Sequence, residues 1–139
     1  MVVQIILACV AALLVVAVLG VAIGRRELGG YLVYGACLGV SAIACAAALG
    51  KLITDPASAS IATLPLGLPW IGAHFRIDTL SAFFLFVIDL GAAAASTFAL
   101  GYGRHEDAPW RVLPFYPAFL AGMNLVLIAD DAFSFLISW

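Results

Sequence analysis

The feature that most restricts the fold of this chain is a series of long apolar blocks separated by short polar stretches. Residues 2–24 contain a single polar side chain, Gln4, and residues 30–50 and 79–101 are nearly as apolar. A helix of about 20 apolar residues crosses the hydrocarbon core of a bilayer. Each of these three blocks is therefore long enough for one transmembrane crossing.

The composition is that of a membrane protein. Of the 139 residues, 65% are hydrophobic and 10% are charged, whereas about a quarter of the residues in soluble domains are charged. The net charge of −2 provides no basic surface for nucleic acid. We therefore exclude a soluble enzyme domain and a nucleic-acid-binding protein, and predict a chain embedded in the lipid bilayer.

Two further apolar segments complete the predicted architecture. Residues 112–129 form a fourth block, with Pro114 and Pro117 in its first turns, where a missing N–H donor costs least. Residues 132–139 resume the apolar pattern, but eight helical residues extend only about 12 Å. The sequence predicts an all-α, polytopic membrane bundle in one domain, with four complete transmembrane helices and the truncated start of a fifth.

The connection between the second and third blocks differs from the others in composition. It contains Pro65, Gly67 and Pro69, which a continuous helix does not accommodate. Short apolar stretches between glycines and prolines are typical of a hairpin or an ordered loop. We expect a hairpin-like loop on the outer face, with Trp70 at the depth of the lipid headgroups.

The basic residues indicate the orientation of the chain. Four arginines fall in the first and third connections, whereas Lys51 and Arg76 fall in the second. Because basic residues are enriched in cytoplasmic loops, this bias predicts that the N-terminus and the hairpin lie outside. The four arginines are Arg25, Arg26, Arg104 and Arg111.

Asp89 is the exceptional residue of the apolar blocks, because it falls near the middle of the third one. A carboxylate at that depth costs several kcal/mol, so it is expected to face the interior of the bundle. It shares a helix face with Ala92, Ala93 and Ser96, a small-residue stripe suited to close helix packing. Two interpretations remain open: a protonatable relay group, or a hydrogen-bonded aspartate that fixes the packing. Its expected partner is Asn124 or a residue beyond Trp139.

The other polar candidates lie near the fourth and fifth helices. Asn124 is predicted to hydrogen-bond between helices, with a proton-relay role as the alternative. Asp130 and Asp131 fit a turn followed by an N-cap, or a site where protons enter or leave. Asp78, with Thr79 and Ser81, supplies capping groups for the start of the third helix.

Motifs for soluble catalysis, cofactor binding and metal binding are absent from the sequence. There is no glycine-rich nucleotide loop, no paired CxxC and no HExxH. Cys9, Cys37 and Cys45 lie in apolar blocks and are expected to pack as small hydrophobic residues. His74 and His105 belong to opposite loops and are not expected to share a metal ion. We assign no catalytic, cofactor-binding or metal-binding residue.

Two segments resemble a known family of membrane subunits. The segment Phe75-Arg-Ile-Asp-Thr-Leu-Ser-Ala-Phe83 resembles the start of the third helix in component B of membrane-bound formate hydrogenlyase and hydrogenase-four complexes. Residues 123–139, above all Ile128-Ala-Asp-Asp-Ala-Phe-Ser-Phe-Leu-Ile-Ser-Trp139, resemble the junction of the fourth and fifth helices. The antiporter-like subunits of complex I and the Mrp antiporters share this junction. The motifs shared with this family cover about 30 residues, and the predicted order of helices agrees with the family over the whole chain.

The resemblance implies a bundle of about fourteen helices built from two inverted repeats, with broken helices and a central line of Lys, Glu and His. Asp78 and Asp130 match family positions, and Asp131 matches a position that is often Asn. The family's principal glutamate follows the junction motif and has no counterpart in this sequence. Asp89 departs from the family, whose members usually have an uncharged residue there.

The function that we expect is therefore that of an antiporter-like, proton-translocating subunit, represented by its N-terminal part. Its partners would be membrane and peripheral subunits of a hydrogenase or a complex-I-like NADH:quinone oxidoreductase in a bacterial or archaeal cytoplasmic membrane. The chain itself would perform no redox chemistry. The alternatives are a cation/proton antiporter subunit and a small four-span structural or assembly protein without transport.

Overall fold

The computed structural model describes residues 1–26, 28–65, 72–103 and 109–139. Five helices and one two-stranded sheet are formed within these ranges. In chain order, the elements are α1 (Val2–Ile23), α2 (Gly29–Thr54), β1 (Ser60–Leu64), β2 (Ala73–Ile77), α3 (Thr79–Tyr102), a 3-10 turn (Pro109–Arg111), α4 (Phe115–Ile128) and α5 (Ala132–Ser138).

Three of the helices are long and apolar enough to cross a membrane. They are α1, α2 and α3, with 22, 26 and 24 residues, and they correspond to the three long apolar blocks of the sequence. Between 22% and 33% of the residues in their most apolar windows are buried inside the protein. Most of their apolar side chains therefore point outward, an arrangement suited to contact with lipid and costly in water.

Helix α2 is longer than its apolar block predicts. We expected it to end before Lys51, but it continues through Lys51 to Thr54. The Nζ atom of Lys51 bends toward the end of the helix and donates to the carbonyls of Asp55 and Ser58. A lysine that binds carbonyl oxygens at a helix C-terminus stabilises the last turn, so its charge does not end the helix.

Helix α4 is shorter than predicted. It begins at Phe115, because residues 112–114 form turns, and it ends at Ile128 after 14 residues. Pro114 occupies the N-cap position and Pro117 lies in the first turn, as expected. Fourteen helical residues extend about 21 Å, less than the thickness of the hydrocarbon core. The prediction of a complete fourth crossing is therefore not confirmed by this helix alone.

The predicted hairpin is present as an antiparallel pair of strands, in which Ser60 pairs with Ile77 and Leu64 with Ala73. Gly72 precedes β2 with a φ of 69°, a conformation that glycine adopts without strain. The opposite edge of β2 forms a bridge between Phe75 and Ala129. Because Ala129 follows α4 directly, the hairpin is joined to the connection between α4 and α5, a contact that sequence patterns did not predict.

Helices α2 and α3 are antiparallel and form the closest helix pair. Near one end, the Thr79 hydroxyl donates to the carbonyl of Pro56, and near the other end Gly103 lies against the ring of Tyr34. The buried face of α3 consists of Ala82, Leu85, Asp89, Ala92 and Ser96. Small residues at this spacing permit close approach of neighbouring helices, and they place Asp89 inside the bundle.

Candidate functional site

Asp89 lies in the interior of the bundle, as predicted. It is the eleventh residue of α3, and its exposed fraction is 0%. The Nδ2 atom of Asn124, on α4, donates to Asp89 Oδ1 over 3.2 Å and to the Leu120 carbonyl over 3.0 Å. The fold therefore brings together Asp89 and Asn124, two polar residues that are 35 positions apart.

The hydrogen bonding of this pair is incomplete. Three buried side-chain oxygens have no hydrogen-bond partner among the described residues. They are Asp89 Oδ2, Asn124 Oδ1 and the Ser41 hydroxyl on α2. Buried polar atoms without partners are rare because they cost free energy, and in a membrane protein they are characteristic of functional positions.

The contacts of α2 and α3 place Ser41 at the depth of Asp89. Cys45 Sγ, one turn after Ser41, lies 3.9 Å from the carbonyl oxygen of Phe86, about one turn before Asp89. Since the two helices are antiparallel, Ser41 is level with residues 89–91 of α3. Ser41 and Asp89 are both fully buried, so both belong to the packed interior at this level.

The surroundings of Asp89 are almost free of charge. Cys9 of α1 and Cys45 of α2 are close enough to interact electrostatically with its carboxylate. Lys51 is the only Lys or Arg within the five helices. It lies ten residues beyond Ser41, a distance of about 15 Å along the helix axis. Within the described part of the chain, no basic side chain neutralises Asp89.

A second polar contact joins α3 and α4 farther along the bundle. The Ser96 hydroxyl and the Tyr116 hydroxyl are 2.8 Å apart, and Tyr116 also donates to the Ala92 carbonyl over 3.2 Å. The ring of Tyr116 packs edge-on against that of Tyr34 with centroids 5.5 Å apart. Ser96 follows Asp89 by two helical turns, so the α3–α4 interface carries polar groups at two depths.

Asp131 is an N-cap, one of the two roles that its sequence position suggested. Its carboxylate accepts hydrogen bonds from the Ser134 N–H at 2.7 Å, the Ser134 hydroxyl at 2.6 Å and the His74 N–H at 3.0 Å. These bonds, those of Ser134 first, lower the pKa of Asp131 to about 2. Asp131 therefore fixes the start of α5 and attaches it to β2.

Asp78 and Asp130 lie on either side of Arg76, which is in β2. Asp78 caps α3 by accepting from the Ser81 N–H at 2.8 Å, and this bond, with a smaller contribution from Arg76, lowers its pKa. The guanidinium of Arg76 is 3.2 Å from Asp78 Oδ2 and 3.7 Å from Asp130 Oδ1. The Asp130 N–H donates to the His74 carbonyl. We call Asp78, Asp130 and Asp131, with His74 and Arg76, the outer cluster.

The fold thus separates the sequence candidates into two groups. Asp89 and Asn124 form a pair inside the bundle, whereas Asp78, Ser81, Asp130 and Asp131 lie at the ends of helices around β2. Asn124 precedes Asp130 by six residues, of which the last two lie beyond the end of α4. No hydrogen bond between described residues links the two groups.

Sequence patterns did not reveal two buried polar residues. Ser41 has no sequence signal of its own within an apolar block, and Lys51 was assigned to a connection, although its exposed fraction is 3%. Apolar residues on both sides of Lys51 could have indicated that the helix continues, whereas the position of Ser41 at the depth of Asp89 depends on tertiary packing.

The remaining candidates contribute little to a site. Cys9 and Cys37 are buried and Cys45 is partly buried, and all three are free thiols. The described residues contain no group of three His, Cys, Asp or Glu side chains that could hold a metal ion. His105, Arg104 and Trp70 lie outside the described residues, so their predicted placements are not tested.

Comparison with protein-family models, curated proteins and solved structures finds no match to this chain.

Proposed function

We propose that this chain is the N-terminal part of an antiporter-like subunit that translocates protons across a membrane. The subunit would belong to a membrane-bound hydrogenase or a complex-I-like NADH dehydrogenase, where partner subunits perform the redox chemistry. The observation that carries the proposal is Asp89, a fully buried carboxylate at mid-helix that receives one hydrogen bond and has no basic partner among the described residues.

The physical argument starts from the charge of that group. An ionised carboxylate in hydrocarbon is costly, so Asp89 favours binding a proton whenever one can reach it. Asn124 accommodates both states, because its amide donates to a carboxylate and accepts from a carboxylic acid. A group that takes up a proton without refolding its surroundings is suited to a relay.

The proposed membrane topology has four crossings, a fifth that begins at α5, and an outer N-terminus. The fourth crossing comprises residues 112–129, which include α4 and the turn before it. Helix α5 folds back beside α4, since Gly122 lies near the Ser138 carbonyl, and α5 therefore enters the bilayer again. The bias of the basic residues favours an extracytoplasmic position for the outer cluster, in a bacterial or archaeal cytoplasmic membrane.

Two other functions compete with this one. A cation/proton antiporter subunit has the same resemblance, and the genes beside this one would distinguish it from a hydrogenase subunit. A four-span structural or assembly protein is favoured by the Asn124–Asp89 hydrogen bond, because this bond joins α3 to α4 without any change of protonation. The distinction is whether Asp89 changes its protonation during function.

The test compares two aspartate variants in membrane vesicles that contain the assembled complex. Asp89→Asn retains the shape of the side chain and removes the exchangeable proton, so we expect proton uptake to fall at least about tenfold, with assembly intact. Asp78→Asn changes an aspartate of the outer cluster and is the matched control, with uptake near normal. A pH-sensitive dye measures uptake, and native gel electrophoresis measures assembly.

Two results would contradict the proposal. Normal uptake by Asp89→Asn would show that this carboxyl group moves no proton. Loss of assembly in Asp89→Asn, with normal uptake per assembled complex, would support the structural function.

A further inference from the structure

We infer that Asp89, Asn124 and Ser41 form a binding site for a small monovalent cation, Na⁺, which competes there with a proton. The inference rests on the proposed placement of Asp89 within the bilayer, but it does not require that protons be transported. It assigns a ligand role to Ser41 and Asn124, and it names the ion class.

The three unpartnered oxygens are the first observation. Asp89 Oδ2, Asn124 Oδ1 and Ser41 Oγ come from three different helices, and the exposed fraction of each residue is 1% or less. All three can act as ligands through oxygen, the element that hard cations prefer. The antiparallel register, fixed by the contact of Cys45 Sγ with the Phe86 carbonyl, brings Ser41 to the level of Asp89, and the hydrogen bond from Asn124 Nδ2 brings Asn124 there as well.

The second observation is the orientation of the Asn124 amide. Its Nδ2 atom is already engaged by Asp89 Oδ1 and by the Leu120 carbonyl. The amide oxygen is therefore held without a donor beside the carboxylate. A cation satisfies an amide oxygen and a carboxylate oxygen together, whereas a single proton on Asp89 can be donated to only one of the unpartnered oxygens.

Charge balance selects a monovalent ion. Asp89 is the only acidic residue in the five helices, so the site provides one negative charge. One bound Na⁺ neutralises it, whereas a divalent ion would leave a net charge in the bilayer interior. Among the described residues, the titratable groups close enough to interact electrostatically with Asp89 are the thiols of Cys9 and Cys45, and a neutral thiol adds no charge.

The packing favours an ion smaller than K⁺. The buried residues about one turn from Ser41 and Asp89 include Ala44 and Ala92, whose small side chains allow the helices to approach closely. Separating these helices to admit a larger ion would sacrifice that packing. Na⁺ is thus expected to bind more tightly than K⁺.

The experiment uses the whole chain in lipid nanodiscs and the reagent dicyclohexylcarbodiimide, which modifies a protonated carboxyl group but not an ionised one. The modified peptide is identified by mass spectrometry, at equal ionic strength in NaCl, KCl or choline chloride. We expect Na⁺ to slow modification of Asp89 several-fold more than K⁺, and lower pH to weaken this protection because protons compete for the carboxylate.

Two serine variants test the assigned ligands. Ser41→Ala removes a proposed ligand and should raise the Na⁺ concentration for half-protection about tenfold, equivalent to ~1.4 kcal/mol. Ser96→Ala removes another buried serine of the bundle, whose hydroxyl is bonded to Tyr116, and should leave protection unchanged. Asp89→Asn should abolish both modification and any selective effect of Na⁺.

Thermal unfolding provides a second measurement that does not depend on the reagent. An ion that binds the folded state raises the unfolding midpoint, so the midpoint in Na⁺ should exceed that in K⁺, and Asp89→Asn should remove the difference. Equal midpoints in Na⁺ and K⁺, or equal protection by the two ions, would overturn the inference. If Na⁺ protects Asp89 from modification but the assembled complex takes up no protons, the proposed function is overturned and the cation site is supported.

Discussion

Asp89 and Asp131 have the same side chain but differ in the number of hydrogen bonds that their carboxylates accept. Asp131 accepts three hydrogen bonds, two from Ser134 and one from His74, whereas fully buried Asp89 accepts one and retains an oxygen without a partner. A carboxylate surrounded by donors is stabilised in its ionised form and fixes the backbone. A carboxylate that accepts one hydrogen bond in an apolar interior is poorly stabilised in its ionised form. Binding an exchangeable cation compensates its negative charge.

The largest expected effect comes from removing the well-bonded carboxylate. Asp131→Ala would delete the cap of α5 and leave the His74 N–H without its acceptor, releasing α5 from β2. We expect a larger decrease in the thermal unfolding midpoint than for any other single aspartate variant. Asp131→Asn retains an acceptor oxygen and should cause a smaller decrease. Equal midpoints for Asp131→Ala and the unmodified chain would invalidate the distinction between the two aspartates.

Acidification tests the same carboxylate without mutation. The folded-state pKa of Asp131, about 2, is below the unfolded value near 3.9. Its contribution to stability is therefore fully present above about pH 4 and is lost as the pH falls through the folded pKa. We expect the Ser134 and His74 amides to exchange hydrogen faster as the pH falls from about 4 to about 2, after correction for intrinsic exchange. In Asp131→Asn, this pH dependence should disappear.

Asp78 should show an intermediate effect. It caps α3 through the Ser81 N–H and accepts from the guanidinium of Arg76. Unlike Asp131, it binds no backbone N–H of another element within the described part of the chain. Asp78→Ala is expected to lower the free energy of unfolding by about 1 kcal/mol, the usual effect of losing an N-cap. The measurement is equilibrium unfolding in mixed detergent, with Thr97→Ala as a control on the exposed face of α3, where the Thr97 hydroxyl donates to the Ala93 carbonyl of the same helix. A loss equal to that in Asp131→Ala would mean that the contact with His74 adds nothing.

The smallest effect on stability is expected at the buried aspartate. Asp89→Asn retains an oxygen that can accept from Asn124 and removes a poorly compensated acid, so the free energy of unfolding should change by no more than about 0.6 kcal/mol. The same unfolding measurement applies. A loss of several kcal/mol would identify Asp89 as a packing residue and weaken its comparison with Asp131.

The sequence predicted those parts of the fold that depend on local signals. Apolar length located α1, α2 and α3, and capping chemistry located the starts of α3 and α5 at Asp78 and Asp131. The burial of Asp89 and its pairing with Asn124 also followed, because a carboxylate in hydrocarbon requires a polar partner and few were available. These inferences need only periodicity, capping preferences and the cost of burying charge.

The parts that sequence could not locate depend on tertiary contacts. The extension of α2 through Lys51 depends on carbonyls that lie beyond the helix, and the late start of α4 depends on turns at residues 112–114. The bridge of Phe75 to Ala129 joins segments more than fifty residues apart. The position of Ser41 at the depth of Asp89 similarly requires the antiparallel register of α2 and α3, which composition does not encode.

The bonding of β2 along both edges has a mechanical consequence. One edge pairs with β1 and the other bridges to Ala129, while a single residue, Asp78, separates β2 from α3. With so short a connection, a rotation of α3 about its axis would twist β2 and pull on the start of α5. A movement of the helix that carries Asp89 would therefore be passed through β2 to the connection between α4 and α5.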